Sequence, residues 1–234
     1  MTTAALNQPP RIALVHALEE SVLPARAALR ELWPEAAGFD LLDTALAVDL
    51  AARGELDQDM VDRFLTLGRY AAATRGTGGP AAAMLFTCSA FGPAIDAVKK
   101  ALPIPVFRPN EAAFSEALGR GASIAILVSF PPSLPSLTRE LQDEADARGL
   151  PVTIKGIVAE GALAALKAGD GEGHDRLVAE AAAKLSGVDA IILGQFSLAR
   201  ARQAVEAVSA AQVITTPDAA VRALRAAVEA EKRG

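Results

Sequence analysis

The chain has 234 residues, 51% hydrophobic and 22% charged, enough to bury one large core or two modest ones, with disorder confined to the ends. A formal net charge of -5 without a cluster of Lys and Arg excludes an electrostatic footprint for nucleic acid or an anionic membrane. The single cysteine excludes an internal disulfide and a cysteine-rich metal site, and with only two histidines no metal-ligand spacing is present, so no metal is expected.

Residues 1–10 lack a basic start and a long apolar run, so they read as a flexible tail and not as a signal peptide. The longest apolar stretches, around 123–128 and 190–193, are far short of a membrane span, and a soluble, cytoplasmic protein is expected. From Arg11 short apolar runs alternate with longer amphipathic ones, the βα order of a mostly parallel sheet covered on both faces. The pattern predicts a strand over 12–15, a helix over 23–33, a strand over 39–42, a short helical turn, and a long helix over 57–74 with Asp57 as its cap. The segment Arg75-Gly76-Thr77-Gly78-Gly79-Pro80 precedes a strand, whereas a phosphate loop must follow one. It therefore reads as a helix stop and connector.

Next come an apolar run through Ala83-Met84-Leu85-Phe86, the corner Thr87-Cys88-Ser89-Ala90-Phe91-Gly92, and a helix opened by Pro93. A short strand over 105–107 leads into a helix begun by Asn110 and Glu111, which fit either a cap or a place pointing toward the cleft. The βα rhythm restarts with strands over 123–128, 152–155 and 188–193, helices over 134–148, 161–168, 174–185 and 198–207, then a strand over 212–214 and a helix from Asp218. The two halves repeat one element order. The expected fold is α/β, two similar Rossmann-like lobes with an active-site cleft between them: residues 11–112 plus 210–234 in the first lobe and 113–209 in the second.

In open α/β sheets ligands bind at the carboxyl ends of strands, facing helix N-termini. Cys88 stands at such a corner, where free backbone N–H groups and the helix dipole favour a thiolate and can hold a carboxylate. Free cysteines are also common as small core hydrophobes, but the flanking hydroxyls of Thr87 and Ser89 argue for a working thiol. Polar loops follow the first strand of each half, His16 to Ser21 in one and Ser129 to Ser136 in the other. A later strand in each half ends in a similar corner, the second of them Leu193-Gly194-Gln195-Phe196-Ser197. His16 closes the first strand and serves equally well as a substrate contact or a structural histidine. Asp43 follows the second strand and can line the cleft, whereas Asp49 fits a solvated helix face. His174-Asp175 fits a helix start, and Arg200 and Arg202 fit water-facing positions. Phe91, Phe130 and Phe196 are candidates for shaping a pocket.

From Arg11 to about Leu224 the order of elements and the Thr87-Cys88-Ser89-Ala90 corner resemble the aspartate/glutamate racemase superfamily. The resemblance implies cofactor-independent proton transfer at the carbon next to a substrate carboxylate. It implies Cys88 as the catalytic residue, and a small carboxylic-acid substrate held around Thr87, Ser89, His16, Ser21, Asp43, Ser129, Ser133, Gln195, Phe196 and Ser197. Two-base racemases of that superfamily carry a second cysteine where this chain has Gln195, and an amide does not exchange a proton near neutral pH. Racemase or isomerase activity, one-thiol decarboxylation of a substituted malonate, and plain carboxylate binding all stay open. No nucleic-acid or membrane partner is expected, and homo-oligomerisation is open.

Overall fold

The structure, a computed structural model, describes residues 8–76, 78–231 and 233. Most of the expected tail, and Thr77 of the glycine-rich connector, lie outside the described residues. Within the tail's described end, the Pro10 carbonyl accepts the Ala37 amide at 2.9 Å, so the chain is already tied to the sheet there. The fold divides into two compact units, one of residues up to Pro109 plus Ala220 onward, the other Asn110–Ala219.

The first unit has four parallel strands, β1 (Arg11–His16), β2 (Ala37–Leu42), β3 (Ala81–Phe86) and β4 (Val106–Phe107), in the order β2-β1-β3-β4. The helices are α1 (Val22–Leu32), α2 (Ala45–Arg53), α3 (Gln58–Ala73) and α4 (Gly92–Ala101). The nine residues of α2 make a real helix where the sequence pattern predicts one short turn. Because residues alternate across a strand, Ala13, Val15, Met84 and Phe86 share one face. They pack on Met60 and Phe64 of α3 and on Ile95 and Val98 of α4. Both faces being covered is why β1 and β3 read as unbroken apolar runs. Asp57 caps α3 as expected, its carboxylate accepting the Met60 amide at 2.9 Å. The connector after α3 is held by Arg11, whose guanidinium donates to the Thr74 and Gly79 carbonyls at 3.0 and 3.1 Å.

The second unit repeats the topology with β5 (Ser123–Val128), β6 (Thr153–Val158), β7 (Ala190–Leu193) and β8 (Gln212–Thr215) in the order β6-β5-β7-β8, all parallel. Its helices are α5 (Glu111–Leu118), α6 (Leu134–Ala147), α7 (Ala162–Lys167), α8 (Gly171–Ala182) and α9 (Arg202–Glu206). Ile124, Ile126, Val128 and Ile192 pack on α5 and α6, while Ala125, Leu127, Ile191 and Leu193 pack on α8 and on Leu198 and Ala201. The last strand differs from the expectation. β8 pairs with β7, Ile192 opposite Ile214, and so completes the second sheet instead of joining the first lobe. The last helix, α10 (Thr216–Glu231), starts in the second unit, and from Ala220 on it belongs to the first. There Arg225 donates to the Leu32 carbonyl at 3.0 Å. Among the described residues no helix is long and apolar enough to cross a membrane.

Candidate functional site

Four corners at the carboxyl ends of β1, β3, β5 and β7 are built alike. Each has one extended residue, then a 3-10 turn, then a helix, the turns covering Glu19–Ser21, Ser89–Phe91, Pro131–Ser133 and Phe196–Ala201. The extended residues are Leu18, Cys88, Phe130 and Gln195. A 3-10 turn separates Cys88 from α4, and Pro93 sits in the first turn of that helix as the sequence predicts. The hydroxyls of Ser21 and Ser133 make the same bond in their respective units, each donating to the carbonyl three residues back, Leu18 and Phe130, at 2.7 Å. Leu18 and Phe130 are exposed at 45% and 47%, unusual for large apolar side chains at such corners. Leu18 is a corner residue that sequence reasoning missed.

In the first unit Cys88 is partly buried, seated beside Phe64, Phe86 and Phe91, whose rings stack with centroids 5.3 and 4.8 Å from Phe64. Burial pushes the thiol above its ordinary range, and a hydrogen bond from the Ala90 amide offsets this only in part. This corrects the expectation of a thiolate favoured by the helix dipole. Burial outweighs that hydrogen bond and favours the protonated thiol. A void with about 10 Å3 of space for a water's centre lies against Cys88, His16, Ala17, Leu46, Phe64, Phe86 and Val15.

His16 is fully buried at the end of β1. Its Nε2–H donates to Asp40 of β2 at 3.0 Å, and Arg26 of α1 donates to the same carboxylate at 2.7 Å. On the other side of the ring, Nδ1 lies 2.9 Å from the Thr87 hydroxyl and 3.1 Å from that of Ser21, and the two hydroxyls are 2.9 Å apart. Burial holds the imidazole below the ordinary histidine range, more than the bond to Asp40 raises it. Both ring nitrogens of His16 therefore have hydrogen-bond partners within the first unit. Asp40 and Arg26, which hold His16, are residues the sequence reading missed. The available signal was a charged residue inside the apolar run Phe39-Asp40-Leu41-Leu42.

In the second unit Gln195 holds the place of Cys88. Its Oε1 accepts both the backbone amide and the hydroxyl of Ser129 at 2.8 Å, while Nε2 reaches the Ser133 hydroxyl only at 3.5 Å. The backbone N–H cannot act as an acceptor, so this fixes which end of the amide carries the protons and leaves Nε2 as a donor. Ser89 and Ser197 are partly buried on their turns.

Other expected site residues have partners within their own units. Asp43 takes a two-pronged ion pair from Arg63 at 2.7 and 2.9 Å, and Arg63 also binds Asp49 at 2.5 Å, so Asp49 is an ion-pair partner and not a merely solvated face. Phe91 and Phe196 are buried core residues, because the 3-10 turns aim them inward, and only Phe130 is exposed. The cap of α8 is Asp170, accepting the Gly173 amide at 2.8 Å, while His174 is buried with Nδ1 2.7 Å from Asp175. Asp175 in turn accepts from Arg200 at 2.8 Å, holding the turn that follows Gln195.

Solved structures with this fold include glutamate racemase from Francisella tularensis in complex with D-glutamate. It is 14% identical, with a TM-score of 0.69 over 97% of this chain and 82% of that one. Allantoin racemase from Klebsiella pneumoniae is 19% identical, with a TM-score of 0.69 over 95% and 89%. An aspartate racemase homologue from Pyrococcus horikoshii is 16% identical, with a TM-score of 0.64 over 94% and 99%. No curated protein matches the sequence. The family model for Asp/Glu/hydantoin racemases matches residues 26–224. With its two four-stranded parallel sheets and that match over most of its length, the chain belongs to the Asp/Glu/hydantoin racemase family.

Proposed function

We propose that the chain is a cofactor-independent enzyme that moves a proton at the carbon next to the carboxylate of a small carboxylic or amino acid, with Cys88 as its one titratable proton-transfer group. The observation that carries this reading is the pairing of equivalent corners: a thiol in one unit, an amide with a fixed donor end in the other. In the first unit, Ser89 and the backbone N–H groups of its 3-10 turn are donors suited to a carboxylate and to the charge that develops on it as the carbon becomes planar; in the second unit, Ser197 and the Gln195 Nε2–H are donors of the same kind. The isomerase character of the family, and the D-glutamate named in the complex of one structural neighbour, support amino acids as the class to try first. A reducing cytoplasm is the expected setting for the free thiol.

One observation favours a second reading. A thiol that burial keeps protonated is a ready proton donor, whereas taking a proton first requires ionising it, at 1.36 kcal/mol per pH unit below its pKa. Decarboxylation of a substituted malonate needs only the donor. The bond to one carboxylate breaks, CO2 leaves, the electron pair is held as an enediolate, and Cys88 protonates the carbon from one face. Solvent then returns the proton to sulfur.

The test is to incubate amino and substituted malonic acids in D2O and to follow products by chiral chromatography with mass spectrometry. One-thiol chemistry predicts deuterium entering with retained configuration, or a single enantiomer from a malonate. Deuterium entering with inversion would show a second base and overturn the one-thiol reading. Carboxylates that raise the melting temperature without any exchange or CO2 release would make the protein a binding module.

A further inference from the structure

The hydroxyls around His16 are short of protons. The Ser21 proton is committed to the Leu18 carbonyl at 2.7 Å, leaving Ser21 Oγ as an acceptor. His16 Nδ1, Thr87 Oγ1 and Ser21 Oγ then form a triangle with sides of 2.9, 2.9 and 3.1 Å. Asp40 accepts only, so it holds the ring proton on Nε2, and the Thr87 proton is the only one left for the whole triangle. A neutral His16 draws that proton onto its buried Nδ1, because a buried acceptor without a donor costs about 1–3 kcal/mol. Thr87, the residue immediately before Cys88, then gives its proton to the ring in preference to the Val15 carbonyl, which lies 3.4 Å from its hydroxyl. Adding a proton at Nδ1 reverses the bond: the ring donates, and the Thr87 O–H is released.

We infer that His16 is a positioning residue that sets the hydrogen-bond polarity of Thr87, so that binding of a carboxylate at the Cys88 corner is accompanied by uptake of one proton on His16. The inference deepens the proposed function and rests on its reading of this corner as a carboxylate site. Among the described residues the groups facing the ring are these. Asp40 faces it from β2, with Arg26 of α1 behind that carboxylate. Thr87 and Cys88 face it from the end of β3, Ser21 from the turn before α1, and α2 and α3 contribute the apolar Leu46 and Phe64. The Asp40 carboxylate, which also accepts from Arg26, is what makes a buried imidazolium tolerable.

The chain has only two histidines, so imidazole 15N spectra resolve both, and the His174→Gln variant assigns them. In the ligand-free protein at pH 7.5 (about one unit above the ordinary histidine value), His16 should show the neutral Nε2–H tautomer. Malonate is the probe for the bound state. At saturation His16 should shift to the doubly protonated pattern, and calorimetry in two buffers of different ionisation enthalpy should report uptake of close to one proton. Malonate affinity should rise up to about tenfold per pH unit as pH falls between the bound-state and free-state pKa values of His16. Thr87→Val, which keeps the volume and removes the hydroxyl, should retain the Nε2–H tautomer and lose that pH slope. Malonate binding without proton uptake, or an equal slope in Thr87→Val, overturns the inference while leaving the carboxylate site standing. An Nδ1–H tautomer in the free protein overturns it whatever malonate does. A free protein with the expected tautomer but no malonate binding at either pH overturns it through the proposed function, because the corner is then no site for this carboxylate.

Discussion

Replacing Gln195 with alanine removes the acceptor that clasps the loop after β5. Two donors lose their partner, the Ser129 backbone amide and the Ser129 hydroxyl, each 2.8 Å from Gln195 Oε1, on a residue that is 94% buried by its 6% exposure. The hydroxyl can rotate toward another acceptor, so its loss is about 0.5–1.5 kcal/mol. The amide cannot rotate, and an unpaired buried N–H costs about 1–3 kcal/mol. Together the variant should lose roughly 2–4 kcal/mol in the second unit. Gln195→Glu keeps an acceptor for both donors and should lose about 1 kcal/mol or less. The assay is native-state hydrogen exchange, which reads the Ser129 amide directly without requiring the two units to unfold together. Protection of that amide should fall by more than tenfold in Gln195→Ala and by little in Gln195→Glu. An alanine variant that keeps full protection at Ser129 would refute the clasp and the assignment of the amide's donor end to Nε2.

Three further outcomes follow from the packing. The alkylation rate of Cys88 by iodoacetamide should keep rising with pH beyond the ordinary thiol value of about 9, because burial pushes the group up, and a plateau near pH 7 would contradict this. His16 is held below its ordinary value of 6.5, so the native state binds fewer protons than the unfolded chain once pH falls below that value. Stability should drop by up to about 1.4 kcal/mol per pH unit between 6.5 and the folded pKa, as read by denaturant midpoints, and His16→Gln should lack this component. Gly121→Ala would push its new methyl into the Asp189 carboxylate, which accepts the Ser123 amide at 2.9 Å. A loss of about 1–3 kcal/mol is expected, and an unchanged melting temperature would show that Asp189 moves freely.

Much of the fold is legible in the sequence because parallel strands covered on both faces leave long apolar runs. Residues 123–128 and 190–193 announce β5 and β7 in this way. What local pattern does not carry is the pairing order. β8 was expected beside the first lobe, and only the register with β7 reveals its sheet. The Cys88 corner is readable from a strand end, small polar residues and Pro93. Its electrostatics are not, because the burial that raises the thiol pKa comes from tertiary packing, in which Phe64 of α3 meets Phe86 and Phe91 far along the chain. For the same reason His16 stands out as a lone polar residue at a strand end, whereas its partners Asp40 and Thr87 lie 24 and 71 positions away. Gln195 is visible as a departure from a second thiol. Its role as a loop clasp depends on Ser129, 66 positions earlier.

The central claim, that Cys88 is the single group moving the substrate proton, is tested most directly by solvent deuterium incorporation in the wild type and in Cys88→Ala. The substitution loses little volume at a partly buried position, so the fold should persist and can be checked by the melting temperature. With any acid that the wild type labels, Cys88→Ala should show labelling reduced to the uncatalysed background while carboxylate binding remains. Deuterium incorporation that continues at the wild-type rate in folded Cys88→Ala would contradict the account, since the proton would then be moving through some other group.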